Sequence, residues 1–308
     1  MKRRLISKIW GLIRALSTHE NWRSYTRMGD GKLLRAKFPW GEKWHEDFCA
    51  DPFLFHHEGN NYLFYETTDK SGKGMIGVFK LVGGRWKNLG KALEEEFHLS
   101  YPQVFKMEDG KIYMIPESSD KGKGAVYLYE AEEFPLKWRR KATLIDRPFA
   151  DATLLEEGGH WYMACYTIPP KETAELWEAP AMEGPWKRHP MWDKINQSAR
   201  LRRCGGRFIR RDGKLFRIAQ DCNGSYGKRL FAVEVKAISP EVYEEGEAKV
   251  FYDRSKPPYK HVHTYNEMET EGGMMSTIDA HGFVRMPWDL MASFAGYAWE
   301  RVRRLIKR

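Results

Sequence analysis

Residues 49–66 read CADPFLFHHEGNNYLFYE: an acid at Asp51, an apolar run, a turn around Gly59, a second apolar run and another acid at Glu66. Two short runs rich in aromatic and aliphatic residues, joined by a glycine turn, are the pattern of a β-hairpin. The design returns about every fifty residues: SYPQVF (100–105) with IYMIPE, ADATLL (150–155) with WYMACY, and CGGRFI (204–209) with LFRIAQ, split by the turns KMEDGK, EEGGH and RRDGK. A second landmark keeps the same phase, in GRWKNLG, LKWRRKA, GPWKRHP and, more weakly, EVYEEGE, with Trp86, Trp138 and Trp186 in register. Between the landmarks, GMIGVFKL (74–81), GAVYLYEA (124–131) and KRLFAVEV (228–235) read as third strands, and the tryptophan opens a fourth. Four antiparallel strands repeated around an axis predict a β-propeller. A fifth unit fits HVHTYNEMETEGGMMSTIDAHGF (261–283), closed by an early strand near Lys32–Phe38, so the expectation is an all-β, five-bladed propeller over 31–285.

The tryptophans read as outer-strand core rather than sugar platforms. With 308 residues, 42% of them hydrophobic and 14% aromatic, the chain can bury a large core. Its formal charge of +9 points to an anionic partner, and the basic residues gather at the ends. MKRRLISKIWGLIRAL sets Leu5, Ile9, Leu12 and Leu16 at helical spacing against Arg3, Arg4, Lys8 and Arg14, predicting a basic amphipathic helix and linker over 1–30. DLMASFAGYAWERVRRLIKR repeats the design, predicting a second such helix over 286–308. Lys8 and Arg14 break the first run too often for a membrane span, and it has neither the apolar core nor the cleavage site of a signal peptide. Either helix could lie on an anionic membrane surface or pack its apolar face on the protein. Cys49, Cys165, Cys204 and Cys222 lack CxxC spacing and the density of a disulfide scaffold. The expected location is therefore cytoplasmic, peripheral on the inner membrane face. Basic residues outside the termini form no stripe interleaved with aromatics, which argues against nucleic acid.

In an antiparallel hairpin the start of the first strand and the end of the second lie at one sheet edge. Asp51, Tyr101 and Asp151 open successive blades, and the seventh residue after Gly59, Gly110, Gly159 and Gly213 is Glu66, Glu117, Tyr166 and Gln220, with Asp221 next. A ring of polar groups is thus expected at one mouth of the funnel. An aspartate before proline also caps turns, but the alternation of Asp51, Tyr101 and Asp151 is not what capping by repeat would select. Glu117, in an apolar run, needs a partner or a proton. Asp51, Asp151 and Glu117 are the candidate catalytic residues, and Glu66, Tyr101, Gln220, Asp221 and His263 are candidate substrate ligands. Arg200, Arg202 and Arg207 suit phosphate oxygens, or else pair with nearby acids. The chain shows no glycine-rich phosphate loop, no DxD pair and no metal cluster, so neither metal nor other cofactor is expected.

The runs DPFLF, HLSYPQVFKMEDGKIYMIPESS, DATLLEEGGHWYMACYT, SARLRRCGGRFIRRDGKLFRIAQDCNGSYG and HVHTYN, across most of residues 40–285, resemble the N-terminal propeller of glucosamine inositolphosphorylceramide transferases and of bacterial proteins linked to surface-polysaccharide genes. More distantly the pattern is similar to glycoside hydrolase family 43. That resemblance implies a base at Asp51 and an orienting, tuning aspartate at Asp151, whereas the start of blade four, Cys204–Gly205–Gly206, offers no acid. The EGP at Glu183 falls on the outer part of a blade, leaving Glu117 or Asp221 to supply one. Arginines in place of the acid suit a phosphate leaving group. The implied function is glycosyl transfer in surface-glycan or glycolipid assembly from a sugar-phosphate or nucleotide-sugar donor, with hydrolysis or phosphorolysis, or glycan binding beside a separate transferase, as alternatives.

Overall fold

Each alternating run becomes a strand because its aromatic and branched residues have two faces to bury. In a computed structural model, residues 18–37, 48–69, 71–119, 124–168, 170–224, 226–253 and 261–285 are described. β1 (Thr18–Met28) and β2 (Leu34–Arg35) come first in the chain. Blade one is β3 (Ala50–His57), β4 (Asn60–Thr68), β5 (Gly74–Val82) and β6 (Arg85–Leu93). Blade two is β7 (Ser100–Lys106), β8 (Ile112–Glu117), β9 (Val126–Glu133) and β10 (Lys137–Ile145). β11 (Ala150–Glu157), β12 (His160–Tyr166), β13 (Ala174–Ala179) and β14 (Lys187–Arg188) make blade three. In blade four the first strand is broken into β15 (Arg203–Cys204) and β16 (Ile209–Arg211), followed by β17 (Lys214–Asp221), β18 (Arg229–Ile238) and β19 (Tyr243–Asp253). Blade five joins β20 (Tyr265–Thr270) and β21 (Gly273–Arg285) to β1 and β2.

The five-bladed expectation holds, with one difference at the closure. The early strand expected near Lys32–Phe38 is only the two-residue edge β2, and the main closing strand is β1, in a segment whose sequence reads as linker. The amphipathic helices expected at the two ends fall on residues 1–17 and 286–308, outside the described residues. Trp22–Ala280 form one compact unit, and the strand ends 18–21 and 281–285 fall outside it.

Burial follows position in the blade. β3 and β4 are buried along most of their length, whereas the outer β6 mixes exposed, partly buried and buried residues, because inner strands lie between neighbouring blades. Apolar clusters fill the seams: Phe55, Phe64 and Val78 of blade one pack with Val104, Met114 and Tyr129 of blade two, and Ala36, Leu54, Phe79 and Met275 close blade five on blade one. The tryptophan landmarks are structural, as read. Indole N–H groups of Trp86, Trp138 and Trp186 donate to Thr26 Oγ1 (2.8 Å), the Pro135 carbonyl (2.8 Å) and the Met182 carbonyl (2.9 Å).

Candidate active site at the funnel mouth

Strand register answers the question raised by Asp51 and Glu66. Ala50 pairs with Glu66, Ser100 with Glu117, Ala150 with Tyr166 and Arg203 with Gln220, so the opening and closing residues of each inner hairpin share one edge. A bulge interrupts the first three pairings at Ala50/Phe53, Ser100/Gln103 and Ala150/Thr153, and the residue inside it has a left-handed φ: 45° at Asp51, 48° at Tyr101 and 47° at Asp151. That conformation costs a side chain about 1–2 kcal/mol, and glycine would adopt it freely. For Tyr101 the compensation is visible, since its buried hydroxyl accepts the Gly206 N–H at 2.7 Å and lies 2.9 Å from Thr153 Oγ1. Tyr101→Phe should therefore cost about 1–2 kcal/mol in a denaturant titration and leave saccharide affinity unchanged. A selective loss of affinity would instead make Tyr101 a ligand, as its place in the repeat suggests.

The two aspartates sit in different surroundings. Asp51 is buried; its Oδ1 accepts the Thr264 hydroxyl at 2.5 Å and lies 3.3 Å from His263 Nε2. Behind the imidazole, Nδ1 is 2.7 Å from Asp279 Oδ2, and the same carboxylate accepts the backbone N–H groups of Asp51 (3.1 Å), His263 (3.1 Å) and Thr264 (2.9 Å). Burial pushes the Asp51 carboxyl up to about 7: His263 opposes the shift, while Glu66, Asp279 and Asp151 reinforce it. Burial pulls His263 down, but Asp279 and Asp51 outweigh it and leave the imidazole at about 9.

Both groups bind protons more tightly when folded, so both stabilise the fold most at low pH. The Asp51 contribution is full below its unfolded value of 3.8 and is lost as pH rises through 7; that of His263 is full below 6.5 and is lost through 9. The melting temperature should fall by roughly 10 °C between pH 6 and pH 9.5. The double variant Asp51→Asn/His263→Gln should flatten that slope, and an unchanged slope would exclude this pair as its source.

Asp151 is held differently. Its Oδ2 takes the Arg203 Nε and the Gln220 side-chain amide (2.9 Å), and its backbone N–H donates to Glu117 Oε2 at 3.0 Å. The Arg203 guanidinium lies over the rings of Tyr166 (5.5 Å) and Tyr226 (5.4 Å). Burial, then the Asp151 charge, raises Glu117 well above the usual carboxylate range against the pull of Arg203, which favours its protonated form. Asp51, His263 and Asp279 also offer donor atoms within 4.8 Å of one another, the spacing of a cation site. The Asp279 and Asp51 oxygens are, however, largely spent on Thr264, on backbone N–H groups and on close charge contacts with the imidazole, so the set reads as a line of ion pairs braced by hydrogen bonds.

The description of a family of N-terminal domains, "Glucosamine inositolphosphorylceramide transferase 1, N-terminal", matches residues 40–276. The chain belongs to that family. It is 36% identical over 208 residues to glucosamine inositolphosphorylceramide transferase 1 of Oryza sativa subsp. japonica and 35% identical over 219 residues to that of Arabidopsis thaliana. These matches cover 65% and 68% of the chain but 28% of each relative, so the chain spans little more than a quarter of the plant proteins. Among solved structures it is similar to a putative glycoside hydrolase from Parabacteroides distasonis (TM-score 0.56, 10% identity, 75% of this chain and 86% of that one). It is likewise similar to an exo-1,5-alpha-L-arabinanase from a bovine ruminal metagenomic library (TM-score 0.54, 11% identity, 74% and 93%). At such identity these structures show the shared propeller fold.

In this member of the family the other expected site residues divide into rim and interior. Glu66 faces His98 Nε2 at 3.1 Å. Asp221 is fully buried, with Arg200 and Arg229 Nε atoms at 3.5 and 3.4 Å from its Oδ2, and Arg202 pairs with Glu172. The rim arginines are thus matched to acids, the alternative left open by the sequence. Arg207 stands apart from them, its guanidinium donating to the Leu54 and Val104 carbonyls of two other blades. Gln220 binds the Cys204 carbonyl (2.7 Å) as well as Asp151. Two surface cavities, of about 530 and 550 Å³, lie beside the hairpin turns at Asp109 and Gly213, at the opposite edge of the blades from these carboxylates.

Sequence reasoning missed Asp279, Thr264, Tyr226 and Trp22, whose indole lies 4.0 Å from the His263 ring. For Asp279 the signal was present: it is the seventh residue after Gly272, the same count that gives Glu66 and Glu117.

Proposed function

We propose that the funnel is a saccharide-acting site in which Asp51 takes the proton from an attacking hydroxyl, Asp151 orients the sugar, and the hydroxyl belongs to a glycan or lipid-linked acceptor. The observation that carries this reading is the environment of Asp51. One carboxylate oxygen is fixed by Thr264 and His263, and burial among other acids brings its protonation midpoint to about 7, where a base can both accept and return a proton. Membership in a family named for a glycosyl transferase to a glycolipid supports transfer over hydrolysis. Two basic ends, with five basic and no acidic residues in 1–17, suit an acceptor at an anionic membrane surface on the cytoplasmic side. Among the described residues no helix is long and apolar enough to cross a membrane.

A second reading is hydrolysis, favoured by Glu117: a carboxyl that burial and the neighbouring Asp151 charge make hold its proton more tightly than usual suits a general acid. The same base would then act on water. The experiment is a turnover and binding screen of the full chain against nucleotide sugars, sugar phosphates and aryl glycosides, with and without anionic vesicles carrying glycolipid acceptors. Consumption of a nucleotide sugar only with acceptor present supports transfer; release of aryl alcohol supports hydrolysis. Saccharide binding without turnover of any class would sink the catalytic reading and leave a glycan-binding domain whose relatives carry their chemistry in the remainder of their longer chains.

A further inference from the structure

We propose that Asp279 and His263 are positioning residues that aim Asp51, and that closure of the propeller ring assembles them. The proposal rests on the reading of Asp51 as the base, but its geometry and its test stand apart from turnover.

The line runs across the seam where the last blade meets the first. Asp279 lies on β21, His263 and Thr264 directly precede β20, and Asp51 is on β3, more than two hundred residues away in the chain. With Asp279 2.7 Å from Nδ1, the imidazole turns Nε2 toward Asp51 Oδ1 at 3.3 Å. The ring plane is held by Trp22 of β1 at 4.0 Å and by Tyr226 of the β17–β18 loop at 5.0 Å. Thr264 shares the same oxygen of Asp51 at 2.5 Å. One oxygen of the base is therefore pinned from two sides, and Oδ2, for which no hydrogen-bond partner is seen among the described residues, is left for a substrate hydroxyl. The charged and titratable groups around the imidazole are Asp51 from β3, Asp279 from β21, Tyr226 from its loop and, farther off, Asp151 from β11.

Asp279 also binds three backbone N–H groups, from Asp51, His263 and Thr264. Those bonds fix the left-handed bulge of blade one relative to the residues that lead into β20. The ring seam and the aim of the base thus depend on the same carboxylate, and an open ring would hold neither.

The test is histidine-selective NMR on the full chain, with His263 assigned by loss of its signal in His263→Gln. In the wild type the His263 resonances should titrate at least two pH units above the ordinary histidine value of about 6.5. Asp279→Asn keeps an oxygen for the backbone bonds but removes the charge, and should lower that midpoint by one unit or more. If Asp279→Asn fails to fold, Asp51→Asn probes the same line from its other end and should lower the midpoint by a smaller amount. A midpoint near 6.5 in the wild type, or one that neither variant moves, overturns the proposal. So does a shift or loss of the His263 signals on adding millimolar Ca²⁺ or Zn²⁺, which would make the cluster a metal site. Where a substrate has been found, Asp279→Asn should move the acid limb of the kcat profile with KM nearly unchanged. If instead Asp51→Asn retains full turnover, the base reading fails while the NMR result stands.

Discussion

Asp51→Asn should lower turnover of the saccharide substrate by about 10²–10⁴-fold, the usual contribution of a general base, with binding of that substrate retained. The structure makes this substitution unusually clean. Asparagine keeps an oxygen for the Thr264 hydroxyl, and it tolerates the left-handed φ of 45° at least as well as aspartate. It also removes a charge that burial and the neighbouring Glu66, Asp279 and Asp151 together disfavour more than His263 favours it. The variant should therefore melt at or slightly above the wild-type temperature at pH 8 while losing catalysis, a combination that unfolding cannot imitate. Asp151→Asn is the control with the opposite signature. It leaves the Arg203 guanidinium without its carboxylate, and should cost stability as well as activity. Equal turnover in Asp51→Asn and wild type would show that the opening motif is architecture, and the domain would be a binding module.

The fold was legible because a propeller writes its repeat into the chain: hairpin, glycine turn and tryptophan return at a constant spacing, and each blade obeys local rules. Legibility failed where blade five departs from the others. Its outer strands come from the far end of the chain, and β1 (Thr18–Met28) carries THENWRSYTRM, too polar and too uneven in period to stand out as a strand. Its place is set by β21 and β2, not by its own pattern. The site divides along the same line. Asp51, Glu66, Glu117, Asp151 and Gln220 could be placed because they hold equivalent positions in conforming blades. Asp279 was hidden because its blade's phase was uncertain, and Trp22 because nothing in a single sequence marks a residue that reaches the funnel from a closing strand. The arginines show a different limit. Composition says that they gather near the funnel, but only coordinates show that Arg202, Arg203 and Arg200 face Glu172, Asp151 and Asp221.

Arg207→Met should destabilise the protein by about 4 kcal/mol, because each hydrogen bond from a charged donor to a carbonyl is worth about 1.5–3 kcal/mol and two are lost together. The guanidinium reaches from blade four to the Leu54 carbonyl of blade one (2.9 Å) and the Val104 carbonyl of blade two (2.5 Å). Its backbone N–H donates to Asn266 Oδ1 of blade five (2.8 Å), and Asn266 in turn donates to the Pro52 carbonyl (2.7 Å). The charge rests 5.1 Å above the Phe53 ring, and burial lowers its pKa to about 10, so the group is ionised at neutral pH in a site built from dipoles and a π-face. Methionine fills the channel but strands two inward-facing carbonyls; lysine can satisfy one of them and should recover roughly half of the loss. For a domain of this size the methionine variant should melt roughly 10 °C lower, read by calorimetry, with the affinity of the folded fraction for a saccharide little changed. The opposite pattern, a melting temperature within 2 °C of wild type and a selective loss of affinity for phosphorylated sugars, would return Arg207 to the phosphate-binding role that its place beside Arg200, Arg202 and Arg203 in the sequence suggests. The geometry favours the first outcome, because both terminal nitrogens already point at backbone from two other blades and a phosphate could be bound only by breaking those bonds.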